Sequence, residues 1–127
     1  MLVFSLFMTA LLSLTMIGFG MVFLKKPPKT INAVYGYRTR MSSINEDTWS
    51  FAHQYSGSVW IRSGALLLLL SLPVIFLLSN SPHYEDYMLI LFYFQMAALL
   101  AVIPITERAL RRTFDKEGNR RIEETEN

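Results

Sequence analysis

The chain has 127 residues, a net charge of +2 at neutral pH, 52% apolar residues and no cysteine. This length supports a single domain over residues 1–127, and the lack of cysteine excludes disulfides and thiolate chemistry. Charged residues are absent from three windows, 1–24, 63–84 and 87–106. Each window approaches the twenty or so apolar residues that cross about 30 Å of hydrocarbon. The distribution predicts an all-α integral membrane protein with three transmembrane helices.

The first apolar run, residues 2–24, predicts a membrane-spanning helix. A secretory signal peptide is the rival interpretation, but it would need a basic residue before the run and a small-residue cleavage site after it. Nothing basic precedes Leu2, and Lys25, Lys26 and two prolines follow the run. The pattern favours a membrane anchor with its N-terminus outside, and the prolines predict the end of the helix.

Residues 25–58, here named the motif segment, separate the first two apolar runs and contain many Asn, Tyr, Arg and Trp residues. A connection of this length and composition is expected to be structured and to carry function. Gly36 is the expected turn position. Ser43 and Glu46 fit a capping box that begins a helix. This helix is predicted to be amphipathic, to lie along the membrane interface and to end near Gly57.

Residues 59–79 and 84–106 predict the second and third spans. Arg62 lies close enough to the end of its helix to snorkel to the interface. Gln95 is the only strongly polar side chain inside the third span, and we expect it to hydrogen-bond between helices rather than to contact a substrate. Residues 107–127 form a charged tail. Glu107 and Arg111, four residues apart, indicate that it begins as a helix, and it is expected to fray past Gly118.

The basic residues indicate an orientation in the membrane. All twelve lie in the motif segment, at Arg62 or in the tail, and the turn between the second and third spans has none. The positive-inside rule therefore predicts that the motif segment, with its amphipathic interfacial helix, and the tail are cytoplasmic, and that the N-terminus is outside. The predicted location is the plasma membrane.

The sequence carries no signature of an enzyme. His53 is predicted on the cytoplasmic side and His83 on the outer side, so the two cannot share a metal ion. Ser42, Asp47 and His53 supply the residue types of a hydrolytic triad without a nucleophile elbow. No acidic residue is predicted at membrane depth, which argues against ion-coupled transport. We therefore expect no catalytic residue, no cofactor and no metal site.

The basic clusters and the aromatic residues have simple explanations. The clusters at 25–29 and 108–112 are most simply stop-transfer charges facing anionic lipid headgroups. Nucleic-acid binding is disfavoured because six acidic residues cancel the six basic ones of the tail. Aromatic residues near the span ends are expected to form an interfacial belt: Trp49, Trp60, Tyr84 and Tyr87.

The polar groups of the motif segment lie beside a lipid interface, where each needs a hydrogen-bonding partner. For Arg38 the alternatives are an ion pair with Glu46 or Asp47, bonds to backbone carbonyls, and contact with a lipid phosphate or a partner's carboxylate. Two interpretations therefore stay open. Arg38 either holds the fold of the loop from inside or belongs to a recognition site.

An ordered set of residues in the motif segment resembles the signature of the SdpI/YfhL family of bacterial membrane proteins. A Lys-Pro-Pro sequence before this set and two apolar runs after it also fit, so the resemblance covers nearly the whole chain in a short three-span form. The resembling positions are Asn32, Gly36, Tyr37, Arg38, Thr39, Ser42, Asn45, Trp49, Ala52 and His53.

The resemblance implies a membrane protein without enzymatic activity. The founding member of the family protects cells from a membrane-acting peptide toxin, and it also acts as a toxin-responsive receptor that holds a transcriptional repressor at the membrane. That founding type has additional spans before the motif, whereas one apolar run precedes it here. The expected partners are the lipid bilayer, a peptide toxin and a cytoplasmic regulatory protein, without direct contact to nucleic acid. A homodimer is compatible with three spans.

On this hypothesis the motif residues, from Asn32 to His53, bind a partner or change state. Arg38 would hold the loop, Gly36 would permit its turn, and Trp49 would seat the helix at the interface. Two alternative functions stay open. One is a membrane enzyme or binding protein whose polar loop takes a lipid headgroup, and the other is a small subunit that scaffolds a membrane complex.

Overall fold

The computed structural model describes residues 2–32, 34 and 36–121. Three helical stretches are long and apolar enough to cross a membrane, and within the described ranges no strand forms apart from one isolated backbone bridge between Phe114 and Arg120. The prediction of an all-α membrane protein with three spans is confirmed. The helices are α1 (Leu2–Lys25), α2 (Glu46–Leu78), α3 (Tyr84–Leu100) and α4 (Val102–Thr113).

The helix α2 is continuous over 33 residues. The prediction of a separate interfacial helix that ends near Gly57 is therefore wrong. A glycine inside a helix costs only about 1 kcal/mol relative to alanine, which is too little to end a helix held by packing on either side. At about 1.5 Å per residue, α2 is roughly 50 Å long and exceeds the hydrocarbon thickness. Its first turns therefore extend beyond the membrane core.

Close contact between α1 and α2 organises the bundle. The residues that α1 buries recur every three or four positions, so they form one face of the helix. Gly20 lies on this face and meets Gly57 of α2, where a Cβ added to Gly20 would lie only 2.7 Å from the Gly57 carbonyl oxygen. Two turns further along α2, Gly64 packs on the backbone of Ser13 in the same way. Small residues let two backbones approach where lipid removes the hydrophobic driving force.

Hydrogen bonds between side chains join the three spans inside the bundle. Gln95 Nε2 donates to Thr9 Oγ1 at 2.9 Å and to Ser71 Oγ at 3.2 Å. The prediction that Gln95 bonds between helices is confirmed. Tyr84 is buried and donates its hydroxyl proton to Ser5 Oγ at 2.9 Å, so its prediction as a belt residue is wrong.

The third span consists of α3 and α4, which are separated by the single residue Ala101. Trp60 Nε1 of α2 donates to the carbonyl oxygen of Leu99 at 3.1 Å and so fixes the position of this junction along α2. The helical run then continues to Thr113, beyond the predicted end of the span at residue 106. The first residues of the expected tail therefore belong to a packed helix.

The chain after α4 folds back on the start of α2. Gly118 has a φ of 84°, which permits the turn, and its carbonyl oxygen accepts a bond from Asn45 Nδ2 at 2.8 Å. Arg120 forms a bidentate ion pair with Asp47, with both N–O distances at 2.9 Å. The expected fraying is therefore wrong for residues 119–121. The remainder of that prediction, residues 122–127, lies outside the described residues.

We predict that Gly20→Ala destabilises the bundle. The new methyl group would press on the backbone of Gly57, and overpacking of this kind costs about 1–3 kcal/mol. The free energy of unfolding, measured by titration of mixed micelles with a denaturing detergent, should fall by this amount. Gly18→Ala is the matched control, because no atom lies within 4 Å of a Cβ added at Gly18. Equal stability of the two variants would contradict the close crossing.

Candidate functional site

The loop between α1 and α2, residues 26–45, ends at a helix cap. Asn45 is the N-cap residue of α2, and its Oδ1 accepts a bond from the backbone N–H of Thr48 at 2.9 Å. Thr48 Oγ1 in return accepts from the backbone N–H of Asn45 at 3.1 Å. The predicted capping box of Ser43 and Glu46 is therefore wrong by two residues, and asparagine fills the N-cap position as well as serine does.

The buried ring of His53 holds the loop against α2. The backbone N–H of Tyr37 donates to His53 Nε2 at 2.9 Å, so this nitrogen carries no proton. His53 Nδ1 lies 2.8 Å from the carbonyl oxygen of Trp49 and must be the protonated nitrogen. Both ring nitrogens are thus used by one neutral tautomer. A protonated Nε2 would lose the bond to Tyr37.

Glycine is required at position 36 for two reasons. Its φ is 111°, in the left-handed region that other residues rarely adopt. A Cβ added to Gly36 would also lie 2.5 Å from His53 Nε2 and 2.9 Å from Pro28. The turn predicted at Gly36 is confirmed, and the absence of a side chain there gives the loop room to cross the histidine ring.

Trp49 lies inside the protein instead of at the lipid interface. Its side chain is 2% exposed, and Nε1 donates to the carbonyl oxygen of Pro28 at 2.8 Å. Its ring contacts His53 with a centroid distance of 4.5 Å. The expected role of Trp49 as an interfacial residue is therefore wrong. It binds the start of the loop to α2.

Glu107 of α4 accepts hydrogen bonds from two hydroxyl groups of the loop. Tyr37 donates its phenol proton to Glu107 Oε2 at 2.8 Å, and Thr39 Oγ1 donates to the same oxygen at 2.8 Å. The carbonyl oxygen of Ile103 is a longer alternative acceptor for Tyr37, at 3.2 Å. Burial, and then the bond to Glu107, raise the pKa of Tyr37 well above its usual value, so the phenol stays protonated and keeps donating.

Ser42 closes the loop on itself. Its hydroxyl oxygen accepts from the backbone N–H of Thr39 at 2.8 Å and donates to the carbonyl oxygen of Tyr37 at 3.0 Å. The hydroxyl is fully buried and already bonded, Asp47 pairs with Arg120, and both nitrogens of His53 are occupied. These three residue types do not form a hydrolytic triad here. Ser42 and His53 build the loop.

Two further motif residues, Asn32 and Arg38, lie in the loop. Asn32 forms a local turn, in which its Oδ1 accepts from the backbone N–H of Val34 at 2.9 Å. Arg38 is exposed, and within the described ranges it forms no ion pair with Glu46 or Asp47. The prediction that Arg38 holds the loop is wrong, because Tyr37 and Thr39 on either side of it supply the bonds. The guanidinium of Arg38 is available to a partner.

Glu107 was missed by the sequence analysis, which placed it at the start of the tail. The bonds to Tyr37 and Thr39 cross about 70 positions of sequence, so no local pattern indicates them. One signal was present. Val102, Thr106 and Leu110 recur at intervals of four residues in the sequence, which is the spacing of one helix face that continues past residue 106. The structure buries all three.

The comparisons with known proteins agree with the motif. The profile of the SdpI/YfhL protein family matches residues 29–106, more than half of the chain. The chain belongs to the SdpI/YfhL family. In Bacillus subtilis (strain 168), the protein described as Uncharacterized protein YfhL is 51% identical over 41 residues, which is 32% of this chain and 37% of that relative. The chain therefore matches only about a third of that relative's length. No solved structure matches the chain.

We predict that Tyr37→Phe loosens the loop without unfolding the bundle. The variant loses a hydrogen bond to Glu107, and a bond to a carboxylate contributes about 1.5–3 kcal/mol. Amide hydrogen exchange at Tyr37, Thr39 and Ser42 should become roughly 10- to 100-fold faster by that conversion. Tyr55→Phe is the matched control, since no hydrogen bond of the Tyr55 hydroxyl occurs among the described residues. Unchanged protection in Tyr37→Phe would refute the assigned bond.

Proposed function

We propose that this SdpI-like membrane protein confers immunity to, or senses, a membrane-active peptide toxin. Its binding or switching element would be the Gly-Tyr-Arg-Thr sequence of the loop, Gly36–Thr39. The role is non-enzymatic. One observation supports it above all: Tyr37 bonds to α2 through its backbone and to α4 through its side chain. The loop therefore depends on the relative position of two helices.

This arrangement suits a switch, because hydrogen bonds are short-ranged and directional. A peptide that inserts beside the bundle and displaces α4 from α2 would stretch the bonds at Glu107 or at His53. Either loss leaves a polar group of the loop without its partner, which costs about 1–3 kcal/mol. An energy of this size is enough to shift a two-state equilibrium by one to two orders of magnitude.

Arg38 is the part of the element that would face a partner. It lies between Tyr37 and Thr39, so its backbone position follows the two residues bonded to Glu107. Its exposed guanidinium presents a planar set of donors that fits a carboxylate. A cytoplasmic regulatory protein with an acidic surface is the proposed partner, and nucleic acid is not contacted directly.

The proposed orientation places the loop and the C-terminal tail in the cytoplasm of a bacterial cell, with the N-terminus outside the plasma membrane. It rests on the basic residues, since all twelve lie at the loop end of the chain's apolar runs. A peptide toxin would then act from the lipid side or the outer side, and the regulatory partner from the inside. A homodimer is compatible with this arrangement.

The test is the peptide sensitivity of a host in which the chain is deleted and then restored. We predict that wild type restores protection and that Arg38→Ala does not, since the exposed guanidinium is removed without breaking an internal bond. Arg40→Ala is the matched control: it removes another exposed arginine from the same loop, outside the motif. Membrane levels of all three proteins, measured by immunoblot, should be equal.

Full protection by Arg38→Ala would overturn the role of this residue. Deletion without any change in sensitivity across a panel of membrane-active peptides would overturn the immunity function itself. In that case the loop would be tested as a lipid-headgroup site or as a scaffold, by co-purification of bound lipid or of one stoichiometric partner.

A further inference from the structure

A groove of about 410 Å³ lies between the first turns of α2 and the helix α4. We propose that it binds the phosphate of one anionic phospholipid, a site separate from the loop and independent of the function proposed above. The groove combines an aromatic wall, an apolar end and two arginines. Its lining residues are Phe51, Tyr55, Ile105, Arg108, Ala109, Arg112 and Thr113.

Among the described residues, no acidic side chain neutralises the charge of the groove. Arg108 and Arg112 are one helical turn apart on α4, and no acidic residue lines the groove. Neither arginine forms an ion pair within the part of the chain that the structure describes. Like charges at this spacing repel each other on a helix. A phosphate between them would remove the repulsion and accept two-pronged hydrogen bonds from guanidinium groups.

The groove lies at the level where the bundle leaves the hydrocarbon. The bond from Trp60 to Leu99 fixes the two antiparallel helices in register. At equal rise per residue, positions 51–55 of α2 are therefore level with about positions 104–108. The apolar run of the third span ends at Thr106 in this interval. The arginines thus lie in the headgroup layer, while Ile105 is exposed at the side of the acyl chains.

Contacts within the protein hold the aromatic wall in place. The rings of Phe51 and Tyr55 are stacked, with centroids 5.7 Å apart and planes 16° from parallel. Phe51 also packs edge-on against the buried ring of Phe114, at 5.4 Å. A lipid that binds here would lose little to reordering of the wall. An apolar end beside a cationic end favours a lipid over free phosphate.

A second groove, of about 650 Å³, is a useful contrast. It is lined by Lys25, Lys26, Lys29 and Glu46, among others. The carboxylate of Glu46 would repel an anion there, and lysine is a flexible point charge without the fork of arginine. Both grooves lie at the loop end of the bundle. The assignment to the arginine groove therefore rests on its chemistry rather than on general attraction to the membrane surface.

The experiment titrates the purified full chain, in neutral detergent, with phosphatidylglycerol, phosphatidylcholine or inorganic phosphate. Binding is followed by native mass spectrometry. We expect one phosphatidylglycerol to bind in preference to phosphatidylcholine. Arg108→Gln with Arg112→Gln should weaken this binding roughly 10- to 100-fold, the effect of losing at least one charge-assisted bond. Inorganic phosphate should not displace the lipid.

The control variant combines Arg111→Gln with Lys116→Gln, which removes the same charge from exposed residues outside the groove. It should bind the lipid as wild type does. Equal weakening in both double variants would show non-specific attraction and overturn the site. Displacement by inorganic phosphate would overturn the choice of a lipid. If the glutamine variant does not fold, Arg108→Lys with Arg112→Lys keeps the charge and should still weaken binding, and unchanged binding there would also refute the proposal.

Discussion

Two hydrogen-bond acceptors, a carboxylate oxygen and a histidine nitrogen, determine the shape of the polar end of this protein. Glu107 Oε2 accepts the hydroxyls of Tyr37 and Thr39, and His53 Nε2 accepts the backbone N–H of Tyr37. Together they fix one short stretch of loop to two helices at once. The turn at Gly36 and the internal bonds of Ser42 follow from this, because the chain must cross the His53 ring and still present both hydroxyls to α4.

The position of His53 depends in turn on how closely α1 and α2 approach. Their contact at Gly20 and Gly57 brings Phe23 against His53, with ring centroids 4.9 Å apart. A larger residue at either glycine would clash with the backbone of the other helix and disturb this approach. The polar network near the headgroups is therefore coupled to helix packing inside the membrane. This coupling is the physical basis of the sensing role proposed above.

The three spans were predictable because each is a long apolar run. The roles of Gln95 and Gly36 were predictable because a lone amide in a span and a glycine at a turn each have few possible roles. The continuity of α2 was not predictable, since a polar segment followed by a glycine resembles the end of a helix until the packing at Gly57 is known. The role of Arg38 was misassigned because charge suggests an ion pair, whereas neutral hydroxyls hold the loop. Glu107 was missed because its partners are distant in sequence.

The most direct test is a double-mutant cycle of Tyr37→Phe and Glu107→Gln, with the free energy of unfolding measured for all four proteins in mixed micelles. If the phenol donates to the carboxylate, the effects should be non-additive, with a coupling energy of about 1–3 kcal/mol. Additive effects, within about 0.5 kcal/mol, would contradict the account, because the loop would then be held to α4 by something other than this contact.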